Sequence, residues 1–545
     1  MSKRGMSVWR WHMQNASCVC VAAGALVTGM ARAQCTPQWY PPPVTVPTIA
    51  NGPILSAATW DPDGEGPLPE KIVMIANGRV CTWDGTTFTV VSETQIFRNQ
   101  RDSIAVYNNE IYVAGWFNSL NGVSAQGIAK WNGTNWQAVG SAAGQATFLS
   151  LNPVLRVYKG ELYMSGGFTT AGGAPSNCVA RWNGAQWNGL AGTAFTPISG
   201  AYDMQIVGDD LWVGGELAAI PGVAGSRSAA KWNGTSWTGA SFPYGSASYV
   251  RSIGDFNGTA YMFGAFYDPS NTVLVGGIIR KTVSGWEVAP GGAVSGGPVA
   301  TVTAFQTYQG KLAIGGLYLH AGPIVNANDV ALYDGATWYR MLQGIQFAQS
   351  NHYVNRMLVY RGELHCFGLF NQVNGVPQFN WARWFDGPPV IVTQPLPQQI
   401  CAGNTSKTLT IVTGGANSFQ WRKNSVPLAN GATGTGSTLA GVATASLLLS
   451  GISPLDEGMY DCVLVNTCGT RTTDAVHVFE CVGDLNCDHS VDDADFVLFA
   501  SAYDLLICED PLMPPGCPAD LNGDNLVDDL DFTLFAAGYN TLVCS

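Results

Sequence analysis

Oxygen-bearing side chains recur at fixed spacing in two stretches near the C-terminus. These are Asp484-Leu485-Asn486-Cys487-Asp488-His489-Ser490-Val491-Asp492-Asp493-Ala494-Asp495 and Asp520-Leu521-Asn522-Gly523-Asp524-Asn525-Leu526-Val527-Asp528-Asp529-Leu530-Asp531, offset by 36 residues. Counted as twelve-residue loops, they carry oxygens at positions 1, 3, 5, 9 and 12. That spacing wraps hard ligands around one Ca²⁺, with a backbone carbonyl supplied by position 7. A bound cation would also offset the mutual repulsion of the clustered carboxylates. The bland alternative is a pair of acidic turns without metal.

The elements that must hold these loops follow directly. After each loop, Phe496, Phe499 and Tyr503, and again Phe532, Phe535 and Tyr539, fall at i, i+3 and i+7. This predicts one helix per loop with a single apolar face. A tandem of EF-hand-like loop-plus-helix units with Asp at position 12 resembles the type I dockerin module, over about residues 481–545. The resemblance implies two calcium sites. Their ligands would be Asp484, Asn486, Asp488, Ser490 (carbonyl), Asp492 and Asp495, and Asp520, Asn522, Asp524, Leu526 (carbonyl), Asp528 and Asp531. Position 6, ordinarily Gly, is His489 in one loop and Asn525 in the other. Asn adopts positive φ more readily than His, which ranks the second loop as the tighter site. The resemblance also implies a cohesin-like or cell-surface partner read by positions 10 and 11. Those positions are Asp493-Ala494 and Asp529-Leu530 here, in place of the family's Ser/Thr. The 36-residue offset maps Cys481 onto Cys517 and Cys508 onto Cys544. Each pair could staple one unit, and pairing between units is an equally legal connectivity.

Upstream, a motif recurs about every 50 residues. Trp131-Asn132-Gly133-Thr134-Asn135-Trp136 is followed by Trp182 to Trp187 and Trp232 to Trp237, with looser copies at Trp83, Lys281 to Trp286, Tyr333 to Trp338 and Phe385. Asn-Gly or Asp-Gly between apolar runs predicts a hairpin with a type I′ turn, and the flanking aromatics can pack across it. Strand-like Ile111 to Gly115, Leu162 to Gly166, Leu211 to Gly215 and Leu312 to Gly316 precede most copies. A four-stranded unit repeated about seven times, with no helix signal between copies, fits a β-propeller over residues 36–388. A strand near Gln38 to Tyr40 is expected to complete the last blade. In period, paired Gly and turn-plus-Trp motif, this region resembles the kelch and galactose-oxidase type of propeller. A copper site of that kind would draw on His320, His352, His365 and the thiols of Cys81, Cys178 and Cys366. The stronger expectation is buried core thiols and structural histidines, with His365 and Cys366 on opposite strand faces.

Between these regions, Trp421 and the string Asp456-Glu457-Gly458-Met459-Tyr460-Asp461-Cys462 resemble an immunoglobulin-like β-sandwich over residues 389–480. There a Tyr hydroxyl pins the strand-F corner and a Trp fills the core. The usual strand-B Cys is replaced by an apolar residue, Ile411. The resemblance to bacterial modules of this kind implies that Cys401 pairs with Cys468 and that Cys462 is a buried thiol.

The chain is therefore expected to be mainly β: an approximately seven-bladed propeller, an immunoglobulin-like sandwich, and a small α-helical calcium-loop domain. Lys3, Arg4 and Arg10, an apolar run, and Ala31-Arg32-Ala33 read as a secretory signal over residues 1–33. An exported chain would bring its twelve remaining Cys into an oxidising compartment. No stretch is apolar enough to predict a membrane span. The net charge of −12 argues against nucleic-acid binding. Most of that acidity is local, since residues 482–545 hold twelve Asp and one Glu with no Lys or Arg. Two functions compete. One is a secreted, non-catalytic binding or adhesion protein whose propeller carries a carbohydrate or protein ligand. The other is a carbohydrate-active enzyme, hydrolase or oxidase, acting in the propeller channel on a polysaccharide. Acids such as Asp203, Asp209, Asp210, Glu216 and Asp255 exist in this region, but no spacing singles out a catalytic pair, which favours the first.

Overall fold

The structure is a computed structural model that describes residues 37–40, 52–64, 70–85, 87–92, 103–125, 127–140, 148–171, 174–190, 197–296, 300–346, 352–400, 406–486, 488, 490–514, 517–522 and 524–539. The segment read as a secretory signal lies outside these residues, as do Cys401, Cys487, His489 and Cys544. The chain is mainly β, and no helix is long and apolar enough to cross a membrane.

Seven four-stranded antiparallel sheets follow one another along residues 54–385. Their first strands are Ile54–Trp60, Ser103–Tyr107, Phe148–Tyr158, Pro197–Val207, Tyr249–Phe256, Thr301–Tyr308 and Tyr353–Tyr360. The seventh sheet takes its fourth strand from the other end of the region. Gln38–Tyr40 runs antiparallel to Trp381–Phe385, with Trp39 opposite Trp384 and their rings 5.0 Å apart. Each sheet shares an apolar cluster with the next: Ile104 and Val113 of the second pack with Val73 and Ile75 of the first. Likewise Leu358, Phe367 and Trp381 of the seventh pack with Ile54, Met74 and Trp83 of the first. Residues of all seven first strands, from Leu55 and Ser103 to Thr303 and Arg356, line one cavity.

The aromatic pairs face each other across their hairpins, with ring centroids 5.3–5.5 Å apart for Trp131–Trp136, Trp182–Trp187 and Trp232–Trp237. The turn between them is not the expected type I′. Four residues separate the paired Trp131 and Trp136, and the glycine alone has positive φ, +100° at Gly133. The Asn132 side-chain oxygen instead accepts the N–H groups of Thr134 and Asn135 at 3.0 and 2.8 Å, an Asx turn that replaces the backbone bond of a two-residue loop. Asn183, Asn233 and Asp334 repeat it. Two-residue turns with both φ positive do occur, between first and second strands, at Asn108-Asn109, Lys159-Gly160, Asn257-Gly258, Gln309-Gly310 and Arg361-Gly362.

Residues 398–480 build two facing sheets. One holds Ser418–Lys423, Gly458–Asn466 and Val476–Glu480, and the other Ser406–Thr410, Thr438–Ala440 and Ser446–Ser450. Ile411, Trp421, Leu449, Tyr460 and Cys462 share the core between them. The Tyr460 hydroxyl donates to the Asp456 carbonyl at 2.8 Å, the corner bond expected from sequence. Cys462 is a buried thiol opposite Trp421, and Cys468 is disulfide-bonded. Two helices close the chain, α1 (Asp493–Tyr503) and α2 (Asp529–Tyr539).

Candidate metal centre

Each helix begins where its acidic loop ends, and the loop carboxylates do the joining. The position-9 residue Asp492 is the N-cap of α1, its Oδ1 accepting Ala494 N–H at 2.8 Å. The position-12 residue Asp495 reaches back with Oδ2 to Asp492 N–H at 3.0 Å, completing a capping box. Asp495 Oδ1 accepts Leu485 and Asn486 N–H at 2.8 and 2.9 Å, which ties the start of the loop to the helix. The second loop repeats this arrangement with Asp528 and Asp531. Asp495 and Asp531 are fully buried, as are the position-8 residues Val491 and Val527, which pack with Phe499 and Phe535 in a core between the helices.

This folding brings three carboxylates of each loop together. Oxygens of Asp484, Asp488 and Asp495 lie within 4.8 Å of one another, and so do those of Asp520, Asp524 and Asp531. Oxygens bound to one Ca²⁺ at about 2.3–2.6 Å can be separated by up to about 5 Å, so both triads fit a single cation. Asn486 and Asn522 sit beside the triads, each accepting the N–H of the following Asp at 2.8–2.9 Å and donating to its carboxylate. Ser490 and Leu526 donate their N–H groups to Asp488 and Asp524, both at 2.9 Å. Asp492 and Asp528 are engaged as helix caps rather than gathered into the triads. Asn525 adopts φ +69° at position 6, as its side-chain type allows; His489 lies outside the described residues.

One sequence expectation needs correction. The helix faces are narrower than i, i+3, i+7: Phe499 and Phe535 are buried, whereas Phe496 and Phe532 are 45% exposed. The helices meet through Phe499 and Phe535, 5.0 Å apart, while Phe496 and Phe532 touch the opposite helix only from the rim, 6.1 Å from Phe535 and 5.9 Å from Phe499. Of the two connectivities the sequence left open, the structure shows the one between units: a disulfide joins Cys508 at the end of one unit to Cys517 at the start of the next. The two cysteines are nine positions apart in sequence and their Cα atoms lie 5.3 Å apart.

Three contacts had no sequence signal. Tyr503 of α1 donates to Asp529 at 2.6 Å, and Tyr539 of α2 donates to Asp493 at 2.5 Å, so each helix end binds the other helix's position-10 carboxylate. These bonds raise both phenols above their ordinary pKa. Gln399 of the sandwich donates to Asp484 at 2.8 Å in a buried contact, which seats the first loop against the preceding domain. Elsewhere, His365 is buried and its Nδ1 accepts from Trp381 Nε1 at 3.0 Å, with its pKa driven well down by burial. Cys366 packs in the cluster on the other strand face, and burial raises its thiol.

No family model matches the chain, and no curated protein matches it. Among solved structures, the titin M10–obscurin-like 1 immunoglobulin complex is 27% identical, covering 17% of this chain and 93% of that one at a TM-score of 0.15. Titin M4 is 20% identical over 18% of this chain and 98% of its own, with a TM-score of 0.15. Tandem immunoglobulin repeats of Dlar are 20% identical over 22% and 62% of the respective chains, again at 0.15.

Proposed function

We propose that this chain is a secreted, non-catalytic binding or adhesion protein. In this reading the seven sheets are the blades of a β-propeller that carries the ligand-binding surface. The sandwich is a spacer, and the C-terminal pair of loops is a dockerin-like, calcium-stabilised module for anchoring or assembly, toward a cohesin-like or cell-surface partner. The propeller reading is supported by the strand Gln38–Tyr40 joining the seventh sheet and by the core cluster shared between first and seventh sheets. The observation that carries the functional reading is the duplicated carboxylate triad, each copy hung on the same capping box.

An enzyme of the glycoside-hydrolase type would need two carboxyl groups about 5–10 Å apart. Among the described residues lining the central cavity, Asp203 alone is acidic, and its oxygens accept the N–H groups of Met204 and Ile253 at 2.8 and 2.7 Å. That favours binding over hydrolysis. Calcium titration of the full chain by calorimetry tests the proposal: two equivalents should bind, and chelation should lower the melting temperature of the C-terminal transition. No heat at millimolar calcium would overturn the calcium reading, and turnover of a polysaccharide panel would overturn the non-catalytic one.

A further inference from the structure

The central cavity has a charge opposite to that of the chain. Its volume is about 80 Å³, and three arginines line it from three different sheets: Arg156 from the third, Arg251 from the fifth and Arg356 from the seventh. Asp203 is the acid that faces them, 4.0 Å from Arg156. The lining thus carries a net charge of +2 within a chain of −12.

These arginines are incompletely satisfied. Arg156 donates to Gln205 at 3.2 Å and to the Leu155 carbonyl at 2.9 Å, and Arg356 donates to the Ala57 carbonyl at 3.3 Å. The buried Nε of Arg251 has no hydrogen-bond partner among the described residues. A buried unpaired donor is costly and calls for a partner. Burial, and then repulsion from Arg156, lowers the Arg356 pKa to about 9, and burial lowers that of Arg156. Like charges gathered into one partly dry cavity are relieved by an anion between them. Planar guanidinium forks match the oxygens of carboxylate, sulfate and phosphate groups. Ser56 and Ser103, also in the lining, add hydroxyls whose oxygens accept the Ile104 and Leu155 N–H groups, leaving their own protons to donate.

We propose that this cavity is an oxyanion-binding site that takes one carboxylate, sulfate or phosphate group between Arg156, Arg251 and Arg356. The site gives the binding function proposed above a ligand class, but it depends on neither the calcium loops nor their anchoring role. The volume admits one such group or a few waters, so a larger ligand would insert only its charged end.

The test is calorimetric titration of the full chain with sulfate, phosphate and glucuronate, in calcium and again in chelator, with glucose and chloride at matched ionic strength as controls. Saturable 1:1 binding of an oxyanion, indifferent to calcium and absent for glucose and chloride, is expected. Arg251→Gln removes a side chain whose Nε has no internal partner, and it should weaken binding about tenfold or more. Arg227→Gln, at an exposed site, should leave it unchanged. Glucuronate binding alongside sulfate would assign the site to acidic saccharides, whereas inorganic anions alone would assign it to a free oxyanion; either upholds the proposal. In the unmutated protein, sulfate should protect Arg251 and Arg356 from phenylglyoxal, read by peptide mass, which keeps the test independent of how the variant folds. Absence of saturable binding up to about 10 mM, equal affinity in Arg251→Gln, or no protection would each overturn it.

Discussion

Single side chains in this protein carry two duties at once, and the position-12 aspartates are the clearest case. Asp531 is buried, accepts three backbone N–H groups, and still points an oxygen into the triad with Asp520 and Asp524. Asp531→Asn should therefore weaken the second loop's calcium affinity about tenfold or more and reduce the calorimetric stoichiometry from two to one. A different duty falls to Asp329, fully buried in the turn that enters the sixth sheet's strand Val330–Tyr333, with its carboxylate against His352 and the Tyr318 N–H. Burial lifts the Asp329 carboxyl to about 6, and the bond to Asp329 lifts His352 above its ordinary 6.5. A histidine that holds its proton more tightly folded than unfolded contributes stability that is complete below pH 6.5 and fades as pH rises through the elevated value. Between pH 6.5 and 8 the melting temperature should fall further in the native chain than in His352→Gln. Parallel melting curves for the two proteins would dismiss the pair as a pH-dependent contributor.

Among the elements, the Asx turn explains why Asn or Asp precedes Gly in the repeats. The side-chain oxygen replaces the missing backbone acceptor, while Gly supplies the positive φ. The residues that signal a hairpin and the aromatics that flank it were legible in sequence, but the turn type was not, because only the folded geometry shows the Asn132 side chain accepting the Thr134 and Asn135 N–H groups. The inter-unit disulfide is likewise a matter of geometry: 36-residue symmetry is equally consistent with pairing inside or between units. Closing a loop of this size restricts the unfolded chain by about 2–3 kcal/mol. Cys508→Ser with Cys517→Ser should destabilise the C-terminal transition by about that amount in denaturant titration, leaving the larger β transition in place.

At the scale of the whole molecule, the three regions are joined by specific contacts. Glu363 of the seventh sheet pairs with Arg383 at 2.9 Å and accepts Gly415 N–H of the sandwich at 2.7 Å. Gly415 has φ +68°, and a Cβ there would lie 2.3 Å from the Phe385 ring, so this junction excludes side chains on both conformational and steric grounds. The N-terminal strand joins the seventh sheet in a similar way. Trp39 stacks edge-on against Trp384 and donates to the Met341 carbonyl at 2.9 Å. Trp39→Ala should cost about 2–3 kcal/mol, below the value for a fully buried Trp because Trp39 is half-buried. Earlier proteolysis near the seventh sheet, with the calcium response unchanged, is the expected signature. Wild-type protease resistance would count against any role of this strand in holding the sheets together.

The amino-acid sequence by itself determined what repeats do: 50-residue periodicity, turn residues between aromatics, the Tyr460 corner and the doubled acidic loops are local patterns, each encoded within a few tens of residues. Tertiary structure alone decided what depends on convergence. The burial of Phe499 but not Phe496, the Cys508–Cys517 link, the Gln399 contact to Asp484 and the meeting of three arginines roughly 100 to 200 residues apart arise from packing. Arg156, Arg251 and Arg356 occupy unremarked strand positions in the chain. Only the folding of seven first strands around one cavity places their charges side by side, where repulsion and unmet donors become chemistry.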